Sequence, residues 1–188
     1  MTMQTTRLLQ VARVCVAVTL LAHLLALFIS NVDAAASPIS QLSRGSTGWL
    51  HTMGLAALGL GWLIIGCLYW RRDHGWLWRG GCLLLLASVP VLLFVASYFA
   101  TASDARLIGP NANDPLAVLA SVLGVAMGAL QLGLRRQNPG VARVNLLILA
   151  LWIALVPVVP FIGADWLGAY ERTVGALMLL WTLALTKL

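Results

Sequence analysis

Long apolar runs alternate with short polar segments six times along the chain. Each run approaches the roughly 20 residues that a helix needs to cross the hydrocarbon core of a bilayer. None shows the period-two alternation of a membrane β-barrel, whereas an α-helix satisfies its own backbone hydrogen bonds in lipid. The pattern predicts an all-α membrane protein with one transmembrane domain over residues 1–188, a six-transmembrane-helix bundle. The predicted helices cover residues 8–29, 48–69, 81–100, 115–134, 144–162 and 170–185.

The composition supports lipid as the solvent for much of this chain. Of its 188 residues, 61% are hydrophobic and 10% are charged, against about 25% charged residues in a typical soluble domain. The cysteines, Cys15, Cys67 and Cys82, lie in or beside apolar runs and form no C-x-x-C pair. We therefore expect neither a disulfide framework nor a thiolate metal site.

The basic residues predict how the helices are oriented. Basic residues concentrate on the cytoplasmic side of membrane proteins, so we expect both termini in the cytoplasm and a multi-pass protein of the bacterial inner (cytoplasmic) membrane. The first run could also be a cleaved signal peptide, but it is long for one and Arg13 interrupts its start, which favours an uncleaved helix. The predicted inner residues are Arg7, Arg13, Arg71, Arg72, Arg79, Arg135, Arg136, Arg143 and Lys187, and the predicted outer ones are Arg44, Arg106 and Arg172.

Prolines and glycines predict how these helices bend and pack. Pro90, Pro157 and Pro160 lie inside apolar runs and are expected to kink the third and fifth helices. The sequence "GVAMG" at residues 124–128 and the glycines of the second run would allow close approach between helices. We expect these contacts within one chain.

Polar side chains at membrane depth concentrate towards the outer ends of the predicted helices. His23 lies about two turns below the outer end of the first helix and His51 about one turn below that of the second, so their depths differ by about one turn. Polar groups in a bilayer are costly and often functional, which predicts an outward-facing pocket. Its candidate ligand-binding residues are His23 and His51 as polar groups, Tyr98 and Tyr170 as rim donors, and Glu171 with Arg172 as a headgroup-facing pair.

Three interpretations of these residues stay open at the sequence level. The histidines could bond to neighbouring helices while Glu171 and Arg172 pair with loop charges, which would make the cluster structural. The pocket could instead hold a lipid or another amphiphile. The third interpretation is a metal or haem b redox site, with His23 and His51 as axial ligands.

The preferred function is a non-enzymatic inner-membrane protein that binds a lipid or other hydrophobic ligand in the outer leaflet. No hydrolase or metalloprotease motif occurs, so no catalytic residue, metal or cofactor is assigned; haem b is the alternative cofactor. The expected partners are membrane lipids, and no nucleic acid. A second alternative is an accessory subunit of a larger membrane-protein complex.

The chain resembles a family of bacterial and archaeal membrane proteins known as domain of unknown function 998, and more distantly the DRAM-type membrane proteins of eukaryotes. The similar stretches are "SPISQLSRGSTGWLHTMG", "YFATASD" ending at Asp104, and "LGAYERTVGALMLLW". The resemblance implies six helices and no established activity. This chain departs from the family in reading "SQL" where an acidic residue is common, and "DPLAVLAS" where a histidine often opens the fourth helix. The matching residues of the last stretch are Gly168, Glu171, Arg172 and Trp181.

Overall fold

The structure is a computed structural model that describes residues 3–43, 45–72, 74–101 and 114–187. Arg44, Asp104 and Arg106, which the charge pattern and the resemblance used, lie outside these residues. The described part of the chain is helical and contains no strand. Its α-helices are α1 (Met3–Ser30), α2 (Ile39–Leu42), α3 (Gly48–Trp70), α4 (Trp76–Thr101), α5 (Asp114–Gln137), α6 (Pro139–Leu155) and α7 (Leu167–Leu185).

Five helical segments are long and apolar enough to cross a membrane. They correspond to α1, α3, α4, α5, and α6 with its continuation to Phe161. The last long helix, α7, has 19 residues and carries Glu171 and Arg172 near its N-terminus; it is not among the five. The fold is therefore a helical bundle with the character of a multi-pass membrane protein.

Most long helices extend beyond the apolar runs that predicted them. α1 begins at Met3 rather than residue 8, and α5 continues through Arg135 and Arg136 to Gln137. The apolar run ends at the first charged residue. The helix itself continues past this point, because Arg has a high helix propensity. α6 begins at Pro139 because the Asn138 side chain accepts hydrogen bonds from the first free backbone N–H groups.

The prolines act differently at their two locations. α4 continues as α-helix through Pro90. The fifth run, by contrast, leaves the α conformation at Leu155 and forms a 3-10 segment, Val156–Phe161, which contains Pro157 and Pro160. The helical span still reaches Phe161, close to the predicted end at residue 162, but its outer end is 3-10 rather than α, because each proline removes a backbone donor that the α-helix needs.

The long helices pack in chain order, each against the next, and α7 returns to contact α1 and α3. We call the end of the bundle that holds Ser30, Gly48 and Leu167 the outer end, after the predicted orientation. The opposite, inner half contains a tight aromatic core. The Tyr69 and Trp78 rings stack with centroids 5.0 Å apart, and the Trp78 indole donates to the Tyr69 carbonyl. Trp62 and Trp181 are fully buried in the same cluster.

Glycines allow close contacts between the helices of this chain. A Cβ at Gly54 of α3 would lie 3.1 Å from the Ala22 Cβ of α1, and one at Gly124 of α5 would lie 3.3 Å from the Trp152 ring of α6. A Cβ at Gly128 would meet nothing within 4 Å. Of the two glycines in "GVAMG", only Gly124 therefore serves packing within the described chain.

Hydrogen bonds join α7 to the inner half of the bundle. The Tyr69 hydroxyl donates to the Leu185 carbonyl at 2.6 Å, and the Trp62 indole donates to the Thr182 hydroxyl at 2.9 Å. Arg13 of α1 donates to both the hydroxyl and the carbonyl of Thr186. Because buried polar groups need partners in an apolar medium, these bonds fix α7 against α1 and α3.

Candidate functional site

A cavity of about 420 Å³ lies between the helices towards the outer end of the bundle. Every long helix contributes to its wall, and the wall is predominantly apolar. Leu20 and Leu24 of α1 line the cavity and are also 47% and 51% exposed, so the wall on the side of α1 reaches the surface of the bundle. One wall residue from each long helix is Leu24, Leu58, Leu92, Leu123, Trp152 and Met178.

The structure brings most of the predicted site residues to this one cavity. They lie at its outer part, while the deeper wall is aliphatic and aromatic. Thr19 and Ser43 are further polar residues of the lining. The cavity is thus polar at one end and apolar along the rest of its length. The predicted residues that line it are His23, His51, Tyr170, Glu171 and Arg172.

The two histidines face each other across the contact between α1 and α3. Their ring centroids are 5.9 Å apart, with an interplanar angle of 59°, and His51 is only 6% exposed. Gly54 brings the helices together beside them, and the Thr19 hydroxyl donates to the Gly54 carbonyl at 2.9 Å. Within the described residues, neither imidazole hydrogen-bonds to the protein, so the predicted bonds to helix neighbours do not form there.

Glu171 and Arg172 hold the loop that joins α1 to α3. The Ile39 backbone N–H donates to a Glu171 carboxylate oxygen at 2.7 Å. The Arg172 Nη1 donates to the carbonyls of Ala34 and Ser37 at 2.7 and 2.8 Å. The partners in these three bonds are backbone groups of the loop. The pair therefore fixes the loop over the outer end of the cavity.

The same loop makes direct backbone contact with the start of α7. The Ala169 N–H donates to the Ala35 carbonyl at 2.9 Å. A Cβ at Gly168 would overlap the Ser37 carbonyl oxygen, so only glycine permits this approach. Ile39 and Ser43, at the end of the loop, are themselves cavity-lining residues. The loop thus forms part of the cavity wall.

Arg172 keeps unused donors in this arrangement. Its Nε and Nη2 are buried, and no described group accepts a hydrogen bond from them. An unpaired buried donor is costly, so these two atoms oppose the stabilisation that the Nη1 bonds to the loop provide. Asp33 and Glu171 are the acidic residues that act electrostatically on this guanidinium.

The two tyrosines occupy different positions. The Tyr170 hydroxyl donates to the Leu155 carbonyl at 2.9 Å, where α6 changes to the 3-10 segment. This bond holds the Tyr170 side chain of α7 against the end of α6 at the cavity wall. Tyr98 does not line the cavity; its ring packs edge-to-face on Phe99 and lies near Phe94. The predicted rim position of Tyr98 therefore differs from its place in the structure.

The contact between α1 and α3 bears on the haem alternative. A haem between His23 and His51 would have to separate these helices, because Gly54 and Ala22 are in contact within one turn of both rings. Haem ligation by the two imidazoles therefore requires α1 and α3 to move apart, and it stays a prediction.

A polar cluster in the inner half was not among the predicted site residues. The fully buried Asn145 accepts from the Trp181 indole and donates to the Met127 carbonyl and the Gln131 side chain. Its sequence signal was a lone amide at the second position of the predicted run over 144–162, which is weak by itself. This cluster joins α5, α6 and α7 and has a structural role.

Comparison with protein-family models, with curated proteins and with solved structures finds no match to this chain. The resemblance described above therefore stays a prediction, and the cavity is the feature of the structure that bears on function.

Proposed function

We propose that this chain is a non-enzymatic integral protein of the bacterial inner membrane that binds a lipid or other hydrophobic ligand in the outer cavity. In this proposal all six long helices cross the membrane and both termini are cytoplasmic. The observation that carries it is a cavity with apolar walls and a polar outer end. An amphiphile in the outer leaflet likewise has its polar head towards the outer surface and its apolar chain towards the middle of the membrane.

The inclusion of α7 as a sixth spanning helix is supported by its burial. Trp181 and Leu185 are fully buried in the inner half, and Thr182 bonds to Trp62. Glu171 and Arg172, which lower the hydropathy of α7, lie in its first turns beside the loop. They would stand at the outer membrane interface, where charged groups are tolerated.

The size of the cavity agrees with a ligand site. Its volume of about 420 Å³ falls within the roughly 300–1,000 Å³ typical of ligand pockets. A ligand that arrives from the bilayer already has its chain in an apolar medium, so burial of the chain adds little driving force. Selectivity must therefore come from shape and from the polar end of the cavity.

Lipid analysis of the purified protein tests the proposal. The protein is isolated with its native lipids, and the extract is compared with bulk membrane lipid by mass spectrometry. We expect one enriched species, which disappears in Ala120→Phe because Ala120 lines the cavity and the added ring fills it. Ala87→Phe is the matched control, since Ala87 is an exposed residue of α4 outside the lining. A wild-type extract identical to bulk lipid would overturn the proposal.

One observation favours the alternative of an accessory subunit. The segment Pro139–Phe161 is the least covered of the five candidate spans, with only 17% of its apolar window buried. A partner helix could pack on this face as well as lipid. Native-gel analysis after mild solubilisation distinguishes the two: a defined larger complex favours the subunit, and a lone monodisperse protein contradicts it.

The haem alternative has a direct spectroscopic test. An absorption spectrum of the purified protein is expected to show no Soret band, because α1 and α3 touch beside His23 and His51. A Soret band that is lost in His51→Ala would revive the redox interpretation.

A further inference from the structure

We propose that the ligand of the outer cavity is an amphiphile with a single apolar chain and an uncharged head oxygen, a hydroxyl or a carbonyl, that hydrogen-bonds to His23 and His51. This inference rests on the proposed function and specifies the ligand class for the same cavity. It follows from three properties of the described lining: the two imidazoles, the balance of charges, and the volume below them.

The two imidazoles are polar groups of the cavity lining with unused hydrogen-bonding capacity. Each neutral imidazole offers one N–H donor and one acceptor nitrogen, and neither forms a hydrogen bond within the described part of the protein. By contrast, Tyr170 donates to Leu155 and Thr19 donates to Cys15 and Gly54. The ring centroids are 5.9 Å apart, close enough for one oxygen beside both rings to hydrogen-bond to a nitrogen of each at roughly 2.8 Å.

The charges favour an uncharged head. Among the described lining residues, with the imidazoles neutral, the charged side chains are one cation, Arg172, and one anion, Glu171, and they are adjacent in the chain. A charged head would therefore bring an uncompensated charge into an apolar site, which is expensive. The free Nε and Nη2 of Arg172 are fully buried, so a head group in the cavity does not reach them without moving the residues that cover them.

The volume favours one chain. A cavity of about 420 Å³ lies in the lower part of the roughly 300–1,000 Å³ range of pockets that hold drug-sized ligands. A diacyl phospholipid is several times larger than such a ligand, whereas a single chain with a small head is of similar size. The apolar wall continues from the histidines to Leu123 and Trp152, which provides a path for one chain.

Photolabelling in nanodiscs tests this ligand class with defined probes. The probe is a long-chain primary alcohol with a diazirine at its chain end, and labelled peptides are mapped by mass spectrometry. We expect labelling of the cavity wall in α5, competed by the unlabelled alcohol or by a methyl ketone of equal length. The comparison of these two competitors shows whether a hydroxyl or a carbonyl is preferred. A fatty acid of equal length, fully ionised, should compete at least tenfold more weakly, and the alkane should not compete.

Histidine variants test the proposed contacts. His23→Leu and His51→Leu should each weaken competition by the alcohol roughly two- to tenfold, the effect of one lost hydrogen bond. His74→Leu is the matched control, because His74 packs on Trp78 outside the cavity and should leave binding unchanged. If His51→Leu fails to fold, His23→Leu still tests the contact, because His23 is only half-buried and its substitution disturbs packing less. The competition series on the wild-type protein needs no variant at all.

The outcomes separate this inference from the proposed function. Equal competition by alcohol, acid and alkane, or binding unaffected by both histidine variants, would overturn the ligand class while cavity binding stands. Labelling outside the cavity, or labelling that persists in Ala120→Phe, would overturn both.

Discussion

The buried amide of Asn145 is expected to hold α7 against the rest of the bundle. Asn145 is 0% exposed and makes three hydrogen bonds, to the Trp181 indole at 2.7 Å, the Gln131 side chain at 2.7 Å and the Met127 carbonyl at 3.0 Å. Asn145→Leu keeps the branching and the number of side-chain heavy atoms but removes the hydrogen bonds to all three partners. Hydrogen bonds between membrane helices contribute about 0.6 kcal/mol on average, and up to about 1.7. We therefore expect a loss of about 2 kcal/mol in the free energy of unfolding.

Equilibrium unfolding in mixed micelles measures this loss. The free energy of unfolding is compared for the wild type, Asn145→Leu and Val144→Leu, an exposed neighbour that should change stability by less than about 0.5 kcal/mol. A double-mutant cycle with Trp181→Phe isolates the bond between the two side chains. An Asn145→Leu variant as stable as the control, or additive effects in the cycle, would refute the role of these bonds in docking α7.

Two glycine substitutions give further predictions. Gly124→Leu should destabilise the bundle by about 1–3 kcal/mol, because a Cβ already lies 3.3 Å from the Trp152 ring, whereas Gly128→Leu should have little effect since its Cβ meets nothing within 4 Å; equal effects in thermal unfolding would contradict the packing. Gly168→Ala should release the loop between α1 and α3, because its Cβ overlaps the Ser37 carbonyl. Faster amide hydrogen exchange in that loop is the expected result, and unchanged exchange would show that the loop does not depend on this contact.

The apolar pattern predicted the helices well but not their ends. A run of apolar residues reports where lipid begins, whereas a helix ends where its backbone loses a donor or finds a cap. Met3 and Gln137 lie beyond the apolar runs because charged side chains are compatible with helix. At Leu155 the reverse holds, since Pro157 and Pro160 end the α conformation inside the run.

Depth along the membrane could be predicted from the sequence, but direction around each helix could not. Counting residues placed His23 and His51 at similar depth, and the structure has their rings 5.9 Å apart. Lipid-facing and core-facing sides of a membrane helix are both apolar, so the sequence does not show which way a polar residue points. Tyr98 lies at a suitable depth yet packs against Phe99.

Contacts with backbone atoms were equally hidden. Glu171 and Arg172 bond to backbone groups of the loop between α1 and α3. Every residue has these backbone groups, so the amino-acid sequence of the loop does not show that it makes such contacts. The direction in which these side chains point depends on how the loop folds back over α7. For the same reason, the glycine at residue 168 was noted in the sequence only through the resemblance, whereas the structure gives it a steric reason.

A density map of the protein purified with its native lipids shows directly whether the outer cavity binds an amphiphile. We expect elongated density in the outer cavity, with its polar end beside His23 and His51 and its chain running towards Leu123. A cavity that contains only water, or density confined to the outer surface of the bundle, would contradict the proposal.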